Sequence, residues 1–230
     1  TKDERYRIIE QFIERLNKIQ ETCIDLVTVC VIDCKVNEKL TNIIEKINKS
    51  KTHIIYLNDN YGISYATNIG IIELINNKCD YIFCGDDDIL IKKENIFDEY
   101  IKYSVKYDIP HLAYYPKQFY KAITSNFNED IIYINDGYSG CFYMLKTCDI
   151  LEKGLLPILN SKYGYEHEIF TKTLTGIQYD LSNSDELIEL NKESIDFCSG
   201  SKIDEKNINV MDKGKHKLVP YKEMKSLIIN

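Results

Sequence analysis

The sequence predicts an α/β fold in which a mainly parallel central sheet is flanked by helices. Residues 25–33 (DLVTVCVID) form an almost continuous β-branched run, which is typical of a strand covered on both faces. Residues 53–57 and 80–84 are two further apolar runs of strand length, and segments with helical spacing separate the three runs. Because strands that alternate with helices are joined by right-handed crossovers, this order predicts a parallel sheet.

The helices are predicted from the spacing of apolar residues. Before the first strand, Ile9, Phe12, Ile13 and Leu16 recur at the i, i+3, i+4, i+7 positions of an amphipathic helix over 6–20. Similar patterns predict further helices at 40–47, 63–75 and 97–104, and a short one at 166–175 before Gly176. Later strands are predicted at 111–116, 130–135 and 139–145. Together these elements predict an N-terminal helix (1–22), a main domain (23–200) and a C-terminal segment (201–230).

The charge distribution limits the classes of partner. The net charge of -7 argues against general nucleic-acid affinity, because binding to a phosphate backbone needs a basic surface. Residues 201–230 differ from the rest, with seven lysines against four acidic residues. We expect this lysine-rich segment to close over an anionic ligand, although a solvated basic face is the more common explanation of such a composition.

The cysteines and the hydropathy predict a cytoplasmic protein. Eight cysteines are present, but none are spaced as a C-x2-C motif, and several lie in apolar runs where a free cysteine behaves as a core residue. No apolar stretch reaches the roughly 18 to 20 residues of a membrane span. The sequence begins at Thr1, which is compatible with a segment of a longer protein whose membrane anchor lies elsewhere.

Three consecutive aspartates follow the third predicted strand. Asp86, Asp87 and Asp88 stand after the apolar run and Gly85, where ligands bind in parallel sheets. Adjacent carboxylates repel each other, so such a cluster normally persists because a cation or a hydrogen-bonding ligand offsets the repulsion. An isolated acidic turn exposed to solvent is an equally good explanation of these three residues alone.

Four motifs together resemble the glycosyltransferases of the GT-A fold, most closely the large inverting family 2 group. They are NDNYGISYATNIG (58–70), DYIFCGDDD (80–88), DGYSGCFYM (136–144) and YGYEHEIFTKTLTG (163–176). The resemblance covers residues 26–180. It implies a hexosyltransferase that uses a nucleoside-diphosphate sugar, which we expect to be a UDP-sugar, and a glycan, lipid-linked or protein acceptor.

The resemblance also implies which residues bind the donor. A hard cation such as Mn²⁺ or Mg²⁺ offsets the charge of a leaving diphosphate, and the family places its ligands at the aspartates. The expected metal ligands are Asp86, Asp88 and His216. The expected donor-binding residues are Asp33, Asn60, Gly62, Asn68, Asp86, Asp87, Gly140 and Lys215.

Inverting transfer needs a general base, and the family usually has a Glu-Asp pair at the start of the last predicted helix. This chain has Glu166 and His167 there, so either residue is a candidate for the catalytic base. Two other functions stay open from the sequence. One is a nucleotide- or carbohydrate-binding module that has lost catalysis, and the other is a metal-dependent nucleotidyltransferase.

Overall fold

The computed structural model describes residues 2–23, 25–57, 59–117, 124–134, 138–158, 166–190 and 218–228. The helices in these ranges are α1 (Lys2–Thr22), α2 (Glu38–Ile44), α3 (Ile63–Asn76), α4 (Ile96–Tyr107), α5 (Thr147–Lys153), α6 (Glu166–Leu174), α7 (Ser184–Leu187) and α8 (Tyr221–Ile228). The strands are β1 (Thr28–Ile32), β2 (Thr52–Tyr56), β3 (Tyr81–Gly85), β4 (Ile89–Ile91), β5 (His111–Ala113), β6 (Thr124–Asn126), β7 (Ile131–Ile134), β8 (Phe142–Lys146), β9 (Gln178–Leu181) and β10 (Ile188–Leu190). The chain is therefore a mixed α/β protein, as the sequence predicts.

The predicted mainly parallel sheet is not confirmed. In the described part of the chain only β1 and β2 pair in parallel, with Thr28 opposite Thr52 and Ile32 opposite Tyr56. The third predicted strand, β3, pairs instead with β8, which runs antiparallel to it and also pairs with β5. The pairs β6–β7, β7–β9 and β4–β10 are antiparallel as well. An apolar run identifies a strand but not its partner, and here the partner of β3 comes from about sixty residues further along the chain.

The packing of α3 explains two of its glycines. Gly62 precedes the helix with a φ of 93°, a backbone conformation that side chains other than glycine resist. A Cβ at Gly70 would lie 3.3 Å from the Cγ2 atom of Val31 on β1. Close packing of α3 on the β1–β2 pair thus explains a glycine inside a helix.

Helix α1 joins two parts of the hydrophobic core. Its Ile13 packs in a cluster with Ile32 of β1 and the apolar face of α2. Its Ile19 lies in a different cluster, which contains Ile89 and Ile91 of β4. The helix therefore holds the β1–β2 pair and β4 at fixed positions relative to each other.

Candidate active site at the ends of β1 and β3

The three aspartates form a tight turn between β3 and β4. The backbone N–H of Asp86 donates to the carbonyl of Cys141, just before β8, at 2.9 Å. Strand β3 cannot easily carry a side chain at Gly85, because a Cβ there would lie 3.0 Å from Ile89 and 3.3 Å from Phe142. The turn is thus fixed by the strands on both sides of it.

The carboxylates of this turn have different environments. Burial raises the pKa of Asp86 well above its usual range, and the charges of Asp88, Asp87 and Glu166 raise it further. Burial, followed by the charge of Asp87, raises the pKa of Asp88 to about 6. The Oδ1 atom of Asp88 is buried and has no hydrogen-bond partner among the described residues. Asp87 is instead half exposed and accepts a hydrogen bond from Arg5 of α1.

Glu166 faces the aspartate turn from the start of α6. It is close enough for its charge to raise the pKa of Asp86, so the two carboxylates lie near each other. The side chain of Glu166 is only partly buried. The first turn of a helix favours a carboxylate, because the helix dipole is positive there. The structure thus brings Glu166 together with the aspartate turn, two features about 80 residues apart in the sequence.

His167, the next residue on α6, is 7% exposed and points into the protein. Its ring centroid lies 4.7 Å from that of Tyr143 and 5.3 Å from that of His111. Burial, and then His111, lowers the pKa of His167 well below its usual range. Both ring nitrogens are buried without a hydrogen-bond partner among the residues that the structure describes.

Gly140 leaves the space that His167 occupies. A Cβ at residue 140 would lie 3.0 Å from the Cγ atom of His167 and 3.2 Å from its Nδ1 atom. The family resemblance implies that this glycine binds the donor. In the structure, its small size is already required by the neighbouring histidine.

Asp33 follows β1 and fixes the loop before α3. Its Oδ1 atom accepts from the backbone N–H of Tyr61 at 2.6 Å, and its Oδ2 atom accepts from that of Gly62 at 2.9 Å. Asn60 lies in the same loop, where its backbone N–H donates to Asp59. The side chain of Tyr61 is 56% exposed. Three of the residues predicted to bind the donor, Asp33, Asn60 and Gly62, therefore meet at the carboxyl ends of the two parallel strands.

Asn68 is fully buried on α3 and contacts backbone rather than an open cleft. Its amide nitrogen donates to the carbonyl of Leu156 at 2.9 Å, and its amide oxygen accepts from the backbone N–H of Leu156 at 3.0 Å. These two bonds join α3 to the segment that follows α5. The predicted residues Lys215 and His216 lie outside the described residues.

The described residues contain no group of three or more His, Cys, Asp or Glu side chains arranged to hold a metal ion. A Mg²⁺-type site does not need such a group, because these cations are commonly bound by one or two carboxylates together with substrate phosphates. The orphaned Oδ1 atom of Asp88 and the crowding of Asp86 by like charge fit a site of that kind. The residues present are thus compatible with a divalent cation that arrives with a diphosphate.

Two residues near this site were missed by the sequence analysis. Tyr143 lies opposite Cys84 in the β3–β8 pair, near the start of the aspartate turn. Burial, and then Cys84, Asp86 and Glu166, raise its pKa well above its usual range. Arg5 contacts Asp87 from a helix 82 residues earlier. The apolar spacing of α1 marks Arg5 only as a polar-face residue, and no sequence signal indicates what that face contacts.

None of the helices in the described ranges is long and apolar enough to cross a membrane.

Comparison with known proteins supports a glycosyltransferase-like chain. No family model matches the sequence. The sequence is 29% identical over 180 residues to an uncharacterized glycosyltransferase of Acanthamoeba polyphaga mimivirus, a match that covers 74% of this chain and 70% of the relative. Among solved structures, S. aureus TarS matches with a TM-score of 0.58 at 17% identity, over 83% of this chain. The match covers 35% of the TarS chain, so this protein corresponds to about a third of that length and shares its fold there.

Proposed function

We propose that this chain is a metal-dependent glycosyltransferase that moves a sugar from a nucleoside-diphosphate sugar to an acceptor hydroxyl with inversion. The observation that carries the proposal is that Glu166, at the start of α6, lies close enough to the aspartate turn for its charge to raise the pKa of Asp86. This arrangement provides one carboxylate for the acceptor and two for the donor's diphosphate. The similarity to the mimivirus glycosyltransferase and the family resemblance support the same reaction class, and the resemblance favours UDP as the nucleotide.

On the donor side, the chain would hold the nucleotide between the ends of β1 and β3. The loop fixed by Asp33 would contact the nucleoside, and the aspartate turn would lie beside the diphosphate. A divalent cation bound by Asp86 and Asp88 would offset the negative charge that develops on the leaving diphosphate. Lys215 and His216 of the lysine-rich segment are proposed as further contacts to the diphosphate and the cation.

On the acceptor side, we propose Glu166 as the general base. Its carboxylate takes the proton of the acceptor hydroxyl while that oxygen attacks the anomeric carbon from the face opposite the diphosphate. The new carbon–oxygen bond forms as the bond to the diphosphate breaks, and the nucleoside diphosphate leaves. His167 is a poorer candidate because its imidazole is 7% exposed and packed against Gly140 and Tyr143. We assign it the role of a positioning residue that fixes the start of α6.

The test is to replace Glu166 with Gln and to measure both binding and transfer. The substitution should leave UDP and Mn²⁺ binding nearly unchanged, because Glu166 acts on the acceptor. Transfer from a panel of UDP-sugars should fall by a factor of about 10² to 10⁴, the usual contribution of a positioned general base. Glu168→Gln is the matched control, since Glu168 lies on the same helix and pairs with Lys172.

Three results would contradict the proposal. If Glu166→Gln transfers sugar at the normal rate and His167→Ala does not, the base is His167. If the chain binds UDP with Mn²⁺ but neither transfers nor hydrolyses any donor, it is a binding module. Release of pyrophosphate instead of a nucleoside diphosphate would identify a nucleotidyltransferase.

A further inference from the structure

The first turns of α1 approach the aspartate turn. The Nη2 atom of Arg5 lies 3.2 Å from Oδ1 and 3.5 Å from Oδ2 of Asp87, with the two side chains 51% and 42% exposed. An ion pair this exposed contributes little to stability, so it cannot itself hold the helix in place. Core contacts have that role, since Ile19 packs with Ile89 and the side-chain amide of Gln20 donates to Thr28 and Thr52.

The three aspartates are therefore not equivalent. Asp87 points outward to the guanidinium group of Arg5. Asp88 points inward, and its buried Oδ1 atom has no partner among the described residues. The positive charge of Arg5 also offsets part of the rise in the pKa of Asp86 and of Asp88, so the guanidinium group lies near all three aspartates. The family resemblance covers residues 26–180 and so assigns no role to α1.

We propose that Arg5 is a positioning residue that withdraws the Asp87 carboxylate from the cation site, leaving Asp86 and Asp88 as the two carboxylates available to a divalent cation. The inference rests on the proposed function, because it assumes that the turn binds a cation. Arg5 has two physical effects in this role. It binds Asp87 directly, and its positive charge opposes a cation that arrives without its anionic nucleotide. The chain would thus favour a cation–diphosphate complex over a free cation.

The experiment measures the affinity of the full chain for Mn²⁺ alone, from the electron paramagnetic resonance signal of free Mn²⁺. Arg5→Gln should bind Mn²⁺ about three- to tenfold more tightly, because a nearby positive charge is removed and Asp87 is released. Lys18→Gln is the matched control, since it removes the same charge from an exposed position of α1 about 20 Å further along the helix. It should leave Mn²⁺ affinity within about twofold of the original chain, because charges so far apart are screened.

A second variant separates positioning from a general charge effect. With Arg5 present, Asp87→Asn should weaken Mn²⁺ binding only modestly, through the loss of one nearby negative charge, because Asp87 is already withdrawn from direct contact with the cation. In the Arg5→Gln chain, Asp87→Asn should cancel most of the gain in affinity, because Asp87 now faces the cation. Such non-additivity is expected of residues in direct contact. Asp88→Asn, which removes a proposed ligand, provides the reference for a weakened site.

Each possible result has a definite meaning. The inference is wrong if Arg5→Gln binds Mn²⁺ like Lys18→Gln, or if Asp87→Asn has the same effect with and without Arg5. If neither the original chain nor Arg5→Gln binds Mn²⁺, either alone or in the presence of UDP, both this inference and the proposed metal dependence are overturned. If the Mn²⁺ results are as expected but no sugar is transferred, the proposed function fails and the role of Arg5 stands.

Discussion

At the scale of single residues, Gly140 and His167 depend on each other. The imidazole of His167 occupies the space next to Gly140 where any other residue would place its Cβ. On its other sides it contacts the rings of Tyr143 and His111. The histidine therefore cannot move away to make room, and its position fixes the backbone of Glu166 beside it.

Replacing Gly140 with Ala should thus destabilise the fold. The added methyl group would lie 3.0 Å from the His167 ring, and overpacking of this kind costs about 1–3 kcal/mol. The free energy of unfolding in urea measures the cost. His167→Ala supplies the control, because the double variant should be less destabilised than the sum of the two single variants. Additive costs would mean that the glycine is needed for another reason.

Residue-scale features differed in how far the sequence could predict them. The conformational role of Gly62 was predictable, because glycine is the usual residue where a tight turn needs a positive φ, and its φ is 93°. The orientation of the three aspartates was not predictable, because it depends on Arg5 and on the Cys141 carbonyl, both remote in the chain. The burial of His167 was also hidden, since a histidine next to two glutamates at a helix start suggests an exposed residue.

At the scale of elements, Asn68 joins α3 to the chain after α5. Both polar atoms of its buried amide are hydrogen-bonded to the backbone of Leu156. The adjacent Leu155 forms an isolated β-bridge with Val219, and within the described ranges Leu156 belongs to none of the strands. The Asn68 side chain therefore replaces the hydrogen bonds that a strand partner would otherwise provide.

Asn68→Ala should accordingly destabilise the protein by about 2–6 kcal/mol. It leaves the N–H and the carbonyl of Leu156 unsatisfied, and each buried unsatisfied group costs about 1–3 kcal/mol. Chemical denaturation of the purified chain gives the value. Asn77→Ala is the control at the C-terminal cap of the same helix. Asn77 is exposed, and the hydrogen bonds that its amide donates to Glu73 are open to solvent, so its loss should cost less than about 1 kcal/mol. Equal stability of the two variants would contradict this role of Asn68.

The sequence predicted elements better than it predicted their partners. Helix α3 and strand β3 were predicted to within about one residue, because their apolar spacing is regular over their whole length. Strands β4 and β10 were missed, since each has only three residues and its pattern is too short to recognise. The antiparallel pairing of β3 was also missed, because strand direction depends on distant residues.

At the scale of the whole molecule, strand β5 and helix α6 bring two buried histidines together near the candidate site. His111 on β5 is fully buried, with its Nδ1 atom 3.2 Å from the Met144 carbonyl and its Nε2 atom 3.0 Å from the Thr171 hydroxyl. Burial lowers the pKa of His111 to about 4, and the pKa of His167 is also lowered. Both imidazoles are therefore neutral in the folded protein at neutral pH.

This arrangement makes part of the stability depend on pH. An unfolded histidine takes up a proton near pH 6.5, whereas folded His111 does so only near pH 4. The stability that depends on neutral His111 is thus fully present above about pH 6.5 and is lost as the pH falls towards 4. At pH 5 the loss from His111 should be about 2 kcal/mol. Buried Asp180, whose pKa burial raises to about 7, acts in the opposite direction over the same range.

Comparison with His111→Asn separates the effect of the histidine on stability from that of the acidic groups, because the carboxyl groups titrate in both proteins. The free energy of unfolding should be measured by urea denaturation at pH 7.5 and at pH 5. The free energy of unfolding of the original chain should exceed that of the variant by a margin that is about 2 kcal/mol smaller at pH 5 than at pH 7.5. The margin shrinks because protonation of unfolded His111 favours unfolding of the original chain only. A margin that is the same at both pH values would mean that His111 is protonated as easily in the folded chain as in the unfolded one. In that case the buried histidine pair described here does not exist in solution.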